Sequence, residues 1–177
     1  MALTLSGDTG VGYPLGGTQS LGATPMTAQA STSGTSIDFT SIPTGVKRIT
    51  IMFSGVSTSG TSPIQAQIGA GSIVNTGYVS NGGAFSGSNT TNATSSTTGV
   101  LAEGGANLGT DTRNGTLTFV NITGNTWIAS GVMSHSSANM AISTGSITLS
   151  GALDRVRITT VNGTDTFDAG TINVLYE

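Results

Sequence analysis

The chain contains a single histidine, His135, in the sequence Met133-Ser-His-Ser-Ser137. A serine hydrolase needs a nucleophilic Ser or Cys, a His and a carboxylate that come together in the fold. Because Ser is abundant along the whole chain, any His would have Ser neighbours, and this spacing carries almost no information. We expect His135 to form hydrogen bonds in a loop or at a strand end.

Other catalytic or metal-binding spacings are also missing from the sequence. There is no nucleophile elbow and no phosphate-binding loop, and a lone His in a chain without Cys does not predict a zinc site. The sequence therefore predicts a protein that is not an enzyme and that holds no metal or other cofactor.

Eight acidic residues could supply carboxylate chemistry. They are Asp8, Asp38, Glu103, Asp111, Asp154, Asp165, Asp168 and Glu177. Two carboxylates about 5 to 9 Å apart can hydrolyse a glycoside, and Asp165 and Asp168 are close enough in sequence to share a calcium ion. The favoured interpretation is that Asp bonds nearby backbone in turns. Arg155 and Arg157 share one strand face, and we expect them to balance Asp154 or Asp168 or to face a partner chain.

Aromatic and amide side chains are the candidates for binding a sugar. Trp127 and Tyr78 could line such a surface, but Trp127 alternates with polar residues in a strand and is expected in the core. Phe85 is the better exposed candidate, because it lies in the longest irregular stretch, residues 81–98, rich in Gly, Ser, Thr and Asn. A long structureless loop is usually functional or mobile. The candidate receptor-binding residues in this stretch are Asn81, Phe85, Asn89 and Asn92.

The composition excludes several classes of protein. Only 7% of the 177 residues are charged, against about 25% in a typical soluble chain, while 27 Gly, 31 Thr and 23 Ser make up almost half of it. Gly, Thr and Ser weaken helices, no apolar run approaches the roughly 20 residues of a membrane span, and five Lys and Arg residues do not provide a basic face for nucleic acid. What remains is an all-β protein with a surface of hydroxyls and glycine.

Short alternating segments from about Thr27 onward support that class. Ile49, Ile51 and Phe53 share one face of a strand and predict a core face, and Lys47 and Arg48 before them suggest protection of an edge strand. Asn162-Gly163 lies between two alternating runs, which predicts a hairpin. Nine to ten such strands without a helix predict an antiparallel β-sandwich of jelly-roll type.

The first thirty residues have a different character. Gly and Pro interrupt every regular element between residues 10 and 16, and the segment has too little apolar surface to order itself. We therefore expect residues 1–30 to form an extended arm that another protein orders, and residues 31–177 to form the sandwich. Leu3, Leu5, Val11 and Tyr13 are the candidate attachment residues of the arm.

Several segments of this sequence resemble fibre proteins of tailed-phage virions. They are Met1-Ala-Leu-Thr-Leu-Ser-Gly7, Phe53-Ser-Gly-Val-Ser-Thr-Ser-Gly-Thr-Ser62, Gln67-Ile-Gly69, Thr76-Gly-Tyr78, Gly151-Ala-Leu-Asp-Arg-Val-Arg-Ile158 and Phe167-Asp-Ala-Gly-Thr-Ile-Asn-Val-Leu-Tyr176. The resemblance implies a homotrimeric β-structured head that contacts the host surface, made in the host cytoplasm and exposed on the particle. It brings no catalytic residues.

Three functions follow as hypotheses. The first is a tail fibre or similar surface fibre that attaches through its arm to other virion proteins and binds a host-surface glycan. The second is a capsid decoration or head-spike protein that stabilises the shell. The third, a carbohydrate-active enzyme, would cleave glycans with an Asp. The sequence shows no heptad and no fixed repeat for a shaft.

Overall fold

The computed structural model describes residues 4–6, 10–12, 18–19, 22–86, 91–105 and 109–177. All regular structure in these ranges is β-strand, in seventeen strands. The strands are β1 (Thr4–Ser6), β2 (Gly10–Gly12), β3 (Thr18–Gln19), β4 (Thr24–Pro25), β5 (Gln29–Ala30), β6 (Ser36–Thr40), β7 (Arg48–Thr58), β8 (Ile64–Ala70), β9 (Ser72–Ile73), β10 (Val79–Phe85), β11 (Thr91–Ser96), β12 (Val100–Leu101), β13 (Arg113–Thr123), β14 (Thr126–His135), β15 (Met140–Thr148), β16 (Arg155–Thr160) and β17 (Phe167–Tyr176).

These strands form three antiparallel sheets. The large sheet has nine strands in the order β11-β10-β15-β14-β13-β7-β17-β4, and β5 also pairs with β17. The small sheet has five strands in the order β12-β8-β16-β6, and β9 pairs with β8. The strands β1, β2 and β3 pair with one another in a separate sheet. The all-β antiparallel fold is thus confirmed and is consistent with a β-sandwich, while the jelly-roll order and the arm stay predictions.

The two larger sheets share one apolar core. Ile49, Ile51 and Phe53 of β7 lie in it together with Ile64 and Ile68 of β8, as the alternation of apolar residues predicts. Further members come from both sheets: Phe119, Leu117, Trp127, Val156, Ile158, Ile172 and Val174. The core position predicted for Trp127 is therefore confirmed.

The chain enters the large sheet before residue 31. Pro25 pairs with Leu175 and Gln29 pairs with Ile172, both in the last strand, β17. Ser31 is fully buried, and its Oγ donates to the carbonyl oxygen of Ala169 over 2.8 Å. Residues 24–31 are therefore fixed to the end of the chain.

Residues 81–98 do not form a structureless loop, and that prediction is wrong. Strands β10 and β11 pair from Ser80 with Ser96 to Phe85 with Thr91, so most of this stretch is a β-hairpin. Two of the glycines that suggested a loop, Gly82 and Gly83, lie inside β10, where Gly82 is buried. A missing side chain leaves room there for another backbone to approach.

Two further predictions about strand partners are also wrong. Asn162 and Gly163 form a tight turn, in which Gly163 has φ of 68° and its N–H donates to the Thr160 carbonyl over 3.0 Å. The turn connects β16 of the small sheet to β17 of the large sheet, so it is a crossover and not a hairpin. Strand β7 pairs on both sides, with β13 and β17, so Lys47 and Arg48 do not protect an edge.

Candidate functional site

The outer surface of the large sheet, called here the wide face, is the most distinctive surface of the described chain. It exposes uncharged side chains from β10, β13, β14 and β15. They are Val79, Asn81, Phe85, Val120, Ile128, Ser130, Val132, Met140, Ile142 and Thr144. Val132 is 53% exposed and Val79 is 65% exposed. Contiguous exposed apolar surface of this kind marks a site of interaction.

Strand register sorts the wide face into rows. Asn81, Thr144 and Ser130 are neighbours across β10, β15 and β14, and they form a row of hydrogen-bonding groups. Ile142 and Val132 pair in the next row on one side. On the other side the row contains Val79, Ile128 and Val120. A shallow depression of about 420 Å³ lies along the polar row and is lined by residues of both kinds. The wide face therefore offers hydroxyl and amide groups between two apolar rows.

The structure divides the predicted receptor residues between the two sides of the large sheet. Asn81 lines the depression, and Phe85 is exposed at the end of β10. Asn92 of β11 pairs with the buried Ala84, so it lies on the opposite side of the sheet, and its prediction as a neighbour of Asn81 and Phe85 is wrong. Asn89 lies outside the described residues. Asn81 and Phe85 thus share one strand face, and the exposure expected for Phe85 is confirmed.

The predicted attachment residues are only partly described. Leu5 of β1 and Val11 of β2 are register partners in the three-stranded sheet. Leu3 and Tyr13 lie outside the described residues. The assignment of an attachment role to these four residues stays a prediction.

Four ionisable side chains form a buried cluster that the sequence reasoning missed. Glu103 Oε2 accepts from Arg113 Nε over 2.7 Å and lies 3.1 Å from His135 Nε2. His135 Nδ1 lies 3.7 Å from Asp111 Oδ2, and Arg113 Nη1 donates to the Asp111 carbonyl over 2.9 Å. All four side chains are buried. Turn chemistry is thus the wrong interpretation for Glu103, whose carboxylate faces Arg113 and His135, whereas the Asp111 carbonyl binds the nearby Arg113 and its carboxylate lies beside His135.

This cluster holds the two sheets together. Glu103 Oε1 accepts from the backbone N–H of Ile64 in β8, over 2.8 Å, while Arg113 and His135 belong to β13 and β14. The strand-end position expected for His135 is confirmed, since it is the last residue of β14, but neither nitrogen of its buried ring makes the hydrogen bond that was expected. Because the cluster has no exposed side chain, its geometry supports a structural role and offers no access to a substrate.

Asp165 and Asp168 have different kinds of partner. Asp165 accepts from Asn162 Nδ2 of the same turn, over 2.7 Å, and from the Ser62 N–H, over 3.0 Å. Asp168 accepts from the hydroxyl of Ser57, 111 residues away, so the turn interpretation is wrong for Asp168. Among the residues that the structure describes, no group of His, Asp and Glu is arranged to hold a metal ion.

The two arginines of β16 balance separate carboxylates. Arg155 binds Asp154 through two hydrogen bonds, and Arg157 binds Asp38 through two of 2.7 Å each. The Arg155 guanidinium lowers the pKa of Asp154 by hydrogen bonding, and the pKa of Arg155 is raised in turn by the same contact. The expectation of balance is confirmed for Asp154, whereas Asp168 is not a partner of either arginine.

Comparisons with known proteins add nothing to these observations. No family model, no curated protein and no solved structure matches the chain. The described residues include no helix long and apolar enough to cross a membrane. The resemblance to phage fibre proteins therefore stays a prediction.

Proposed function

We propose that the protein is a structural component of a phage virion, a tail fibre or similar surface fibre, and not an enzyme. The wide face is the observation that supports this most, because the sandwich displays apolar, hydroxyl and amide groups outward there and no charged side chain. Three copies packed around an axis would cover the apolar rows of Ile128, Val132 and Ile142, which are costly to leave exposed. The protein acts without a cofactor, on the surface of the particle.

Attachment to the particle is assigned to the first residues of the chain. Leu3, Leu5, Val11 and Tyr13 would contact another virion protein, which supplies the surface that the segment lacks by itself. The truncation that tests this should begin at Gly22, because residues 24–31 belong to the large sheet. Such a protein is expected to fold and to be lost from particles. Normal incorporation of the truncated protein would contradict the attachment role.

Contact with the host is assigned to the hairpin of β10 and β11. Phe85, exposed at the end of β10, would bind the host surface. Asn81 lies between the apolar rows that other copies would cover, Asn92 lies on the other side of the sheet, and Asn89 lies outside the described residues. Replacing the whole stretch is not a valid test, since β10 is an interior strand of the large sheet. The point variant Phe85→Ser is expected to fold and to reduce adsorption of particles to cells. Unchanged adsorption would remove the hairpin as the host contact.

A capsid decoration or head-spike protein is the alternative within the same class. The fibre role and the decoration role differ in the number of copies in a particle, since a tail tip holds few copies and a capsid surface holds many. Intact particles can be labelled with an antibody against the protein. Electron microscopy of the labelled particles then gives its location. Labelling spread over the capsid would favour the decoration role over the fibre role.

A further inference from the structure

The outer surface of the small sheet carries a polar groove of about 280 Å³. Its floor consists of Gln65 and Gln67 from β8 and of Arg157 and Thr159 from β16. Register places Gln67 beside Arg157 and Gln65 beside Thr159, so the four side chains form two adjacent rows. Thr98 lines one side of this polar groove.

The two glutamines are held in fixed positions. Gln67 Nε2 donates to the Thr98 carbonyl over 2.9 Å. Gln65 Oε1 accepts from the hydroxyl groups of Ser96, over 2.9 Å, and Thr98, over 3.1 Å. Gln65 is 2% exposed and Gln67 is 7% exposed, although both point to the outer side of the sheet. Side chains locked in this way lose little conformational entropy when they bind a ligand.

Three of the four floor residues have a hydrogen-bonding atom to spare. Among the residues that the structure describes, Gln65 Nε2, Gln67 Oε1 and Arg157 Nη1 have no hydrogen-bond partner. The other two guanidinium nitrogens of Arg157 bind Asp38, which compensates the positive charge. The polar groove thus presents donors and one acceptor side by side without a net charge.

We propose that the polar groove binds a neutral sugar unit of a host-surface glycan. Neighbouring hydroxyl groups of a sugar both donate and accept, which fits the alternation of amide donor, amide acceptor and guanidinium on the floor. A peptide would need an apolar anchor pocket, and Val161 is the one large apolar side chain that lines the groove. The groove lies on the opposite side of the sandwich from the wide face, so it stays open when copies of the chain pack through that face. This inference rests on the proposed host-binding function.

The test is titration of the full isotope-labelled chain with glucose, galactose, mannose and N-acetylglucosamine, one at a time, followed by NMR. The chain has only four glutamines, at positions 19, 29, 65 and 67, so their side-chain amide signals can be assigned individually. We expect at least one sugar to shift the amide signals of Gln65 and Gln67 in a saturable way. Gln67→Met, which keeps the length of the side chain, is expected to weaken that binding about tenfold.

Asn139→Ala, in the turn between β14 and β15, is the matched control, and its thermal midpoint and that of Gln67→Met verify folding. We expect Asn139→Ala to bind the sugar as the natural chain does. Loss of binding in Phe85→Ser but not in Gln67→Met would overturn the groove and transfer the sugar to the hairpin. No shift with any of the four sugars would also overturn it.

Competition between the purified protein and particles for host cells tests the proposed function separately. Sugar binding in the groove without such competition would leave the groove standing and contradict the host-binding function. Competition without sugar binding would contradict the groove and leave the host-binding function standing.

Discussion

Arg113 and Glu103 form a fully buried ion pair, in which Arg113 Nε donates to Glu103 Oε2 over 2.7 Å and neither side chain is exposed. The other carboxylate oxygen of Glu103 accepts from the Ile64 N–H of the small sheet. The pair therefore connects the two sheets at a place where the chain passes between them. Because both charges are buried, the fold is stable only while each charge compensates the other.

Removing one partner of this pair is expected to destabilise the fold strongly. Arg113→Met leaves the Glu103 carboxylate buried with the cation removed, and we expect the free energy of unfolding to fall by about 3–5 kcal/mol. Urea denaturation measures this. The double variant Arg113→Met with Glu103→Gln should lose less than the sum of the two single losses, because no uncompensated charge of the pair remains.

The exposed pair of Asp38 and Arg157 is the matched control for this prediction. Its hydrogen bonds have the same length, 2.7 Å, but its side chains are 39% and 37% exposed. Asp38→Asn should therefore cost about 0–1 kcal/mol. Equal losses for Arg113→Met and Asp38→Asn would contradict the argument from burial.

Two adjacent glycines of β10 are expected to respond differently to the same substitution. A Cβ on Gly82 would lie 2.4 Å from the Glu103 carbonyl oxygen, whereas a Cβ on Gly83 would meet nothing closer than the Asn92 carbonyl at 4.0 Å. Gly82→Ala must push two backbones apart and should cost about 3 kcal/mol or more, while Gly83→Ala should change stability by less than about 0.5 kcal/mol. Thermal unfolding of both variants gives the comparison, and equal stability would show that the close approach is absent.

These glycines also explain how far the sequence could predict the fold. Alternation in Ile49, Ile51 and Phe53 predicts a core strand correctly, because one buried face repeats every second residue. Gly82 and Gly83 suggested a loop, since a glycine needed for close packing cannot be distinguished by type from one needed for a turn. The same limit applies to Asn162 and Gly163, where the turn is correct but the strand partners are not.

The candidate site was predictable only in part, for a related reason. Exposure of Phe85 follows from its polar neighbours. The cluster of Glu103, Asp111, Arg113 and His135 joins strands far apart in the chain, and no local spacing indicates such contacts. One available signal was the isolation of these charges in a chain with so few of them, because a rare charge in a β-core needs a partner.

Tyr78 is expected to make the stability depend on pH in the alkaline range. Its hydroxyl accepts from the Ile68 N–H over 2.8 Å and lies 3.0 Å from the Val74 carbonyl oxygen, and burial raises its pKa to about 12 from 10.0. Above pH 10 the unfolded chain releases the Tyr78 proton, while the folded protein keeps it up to about pH 12. The unfolded state then binds fewer protons, so the free energy of unfolding falls as pH rises through this window.

The difference between a pKa of 10.0 in the unfolded chain and about 12 in the folded protein corresponds to a loss of about 3 kcal/mol in the free energy of unfolding at the upper end of this window. Urea denaturation at several pH values measures it. Tyr78→Phe lacks the ionisable group: it should be less stable by about 1–2 kcal/mol at neutral pH, where the backbone groups lose their partner, and should lack the Tyr78 share of the alkaline decline. An identical decline in both proteins would assign it to other groups.

The apolar rows of the wide face are expected to join copies of the chain. Val132 is 53% exposed and pairs with Ile142, which is 45% exposed. Val132→Lys would place a charge in the middle of this surface. Burying that charge against another copy costs more free energy than the contact between copies gains. Sedimentation should show an oligomer for the natural chain and a folded monomer for the variant. Thr40→Lys adds the same charge at an exposed position on the small sheet and should leave the oligomer intact. An unchanged oligomer in Val132→Lys would place the contact between copies on another surface.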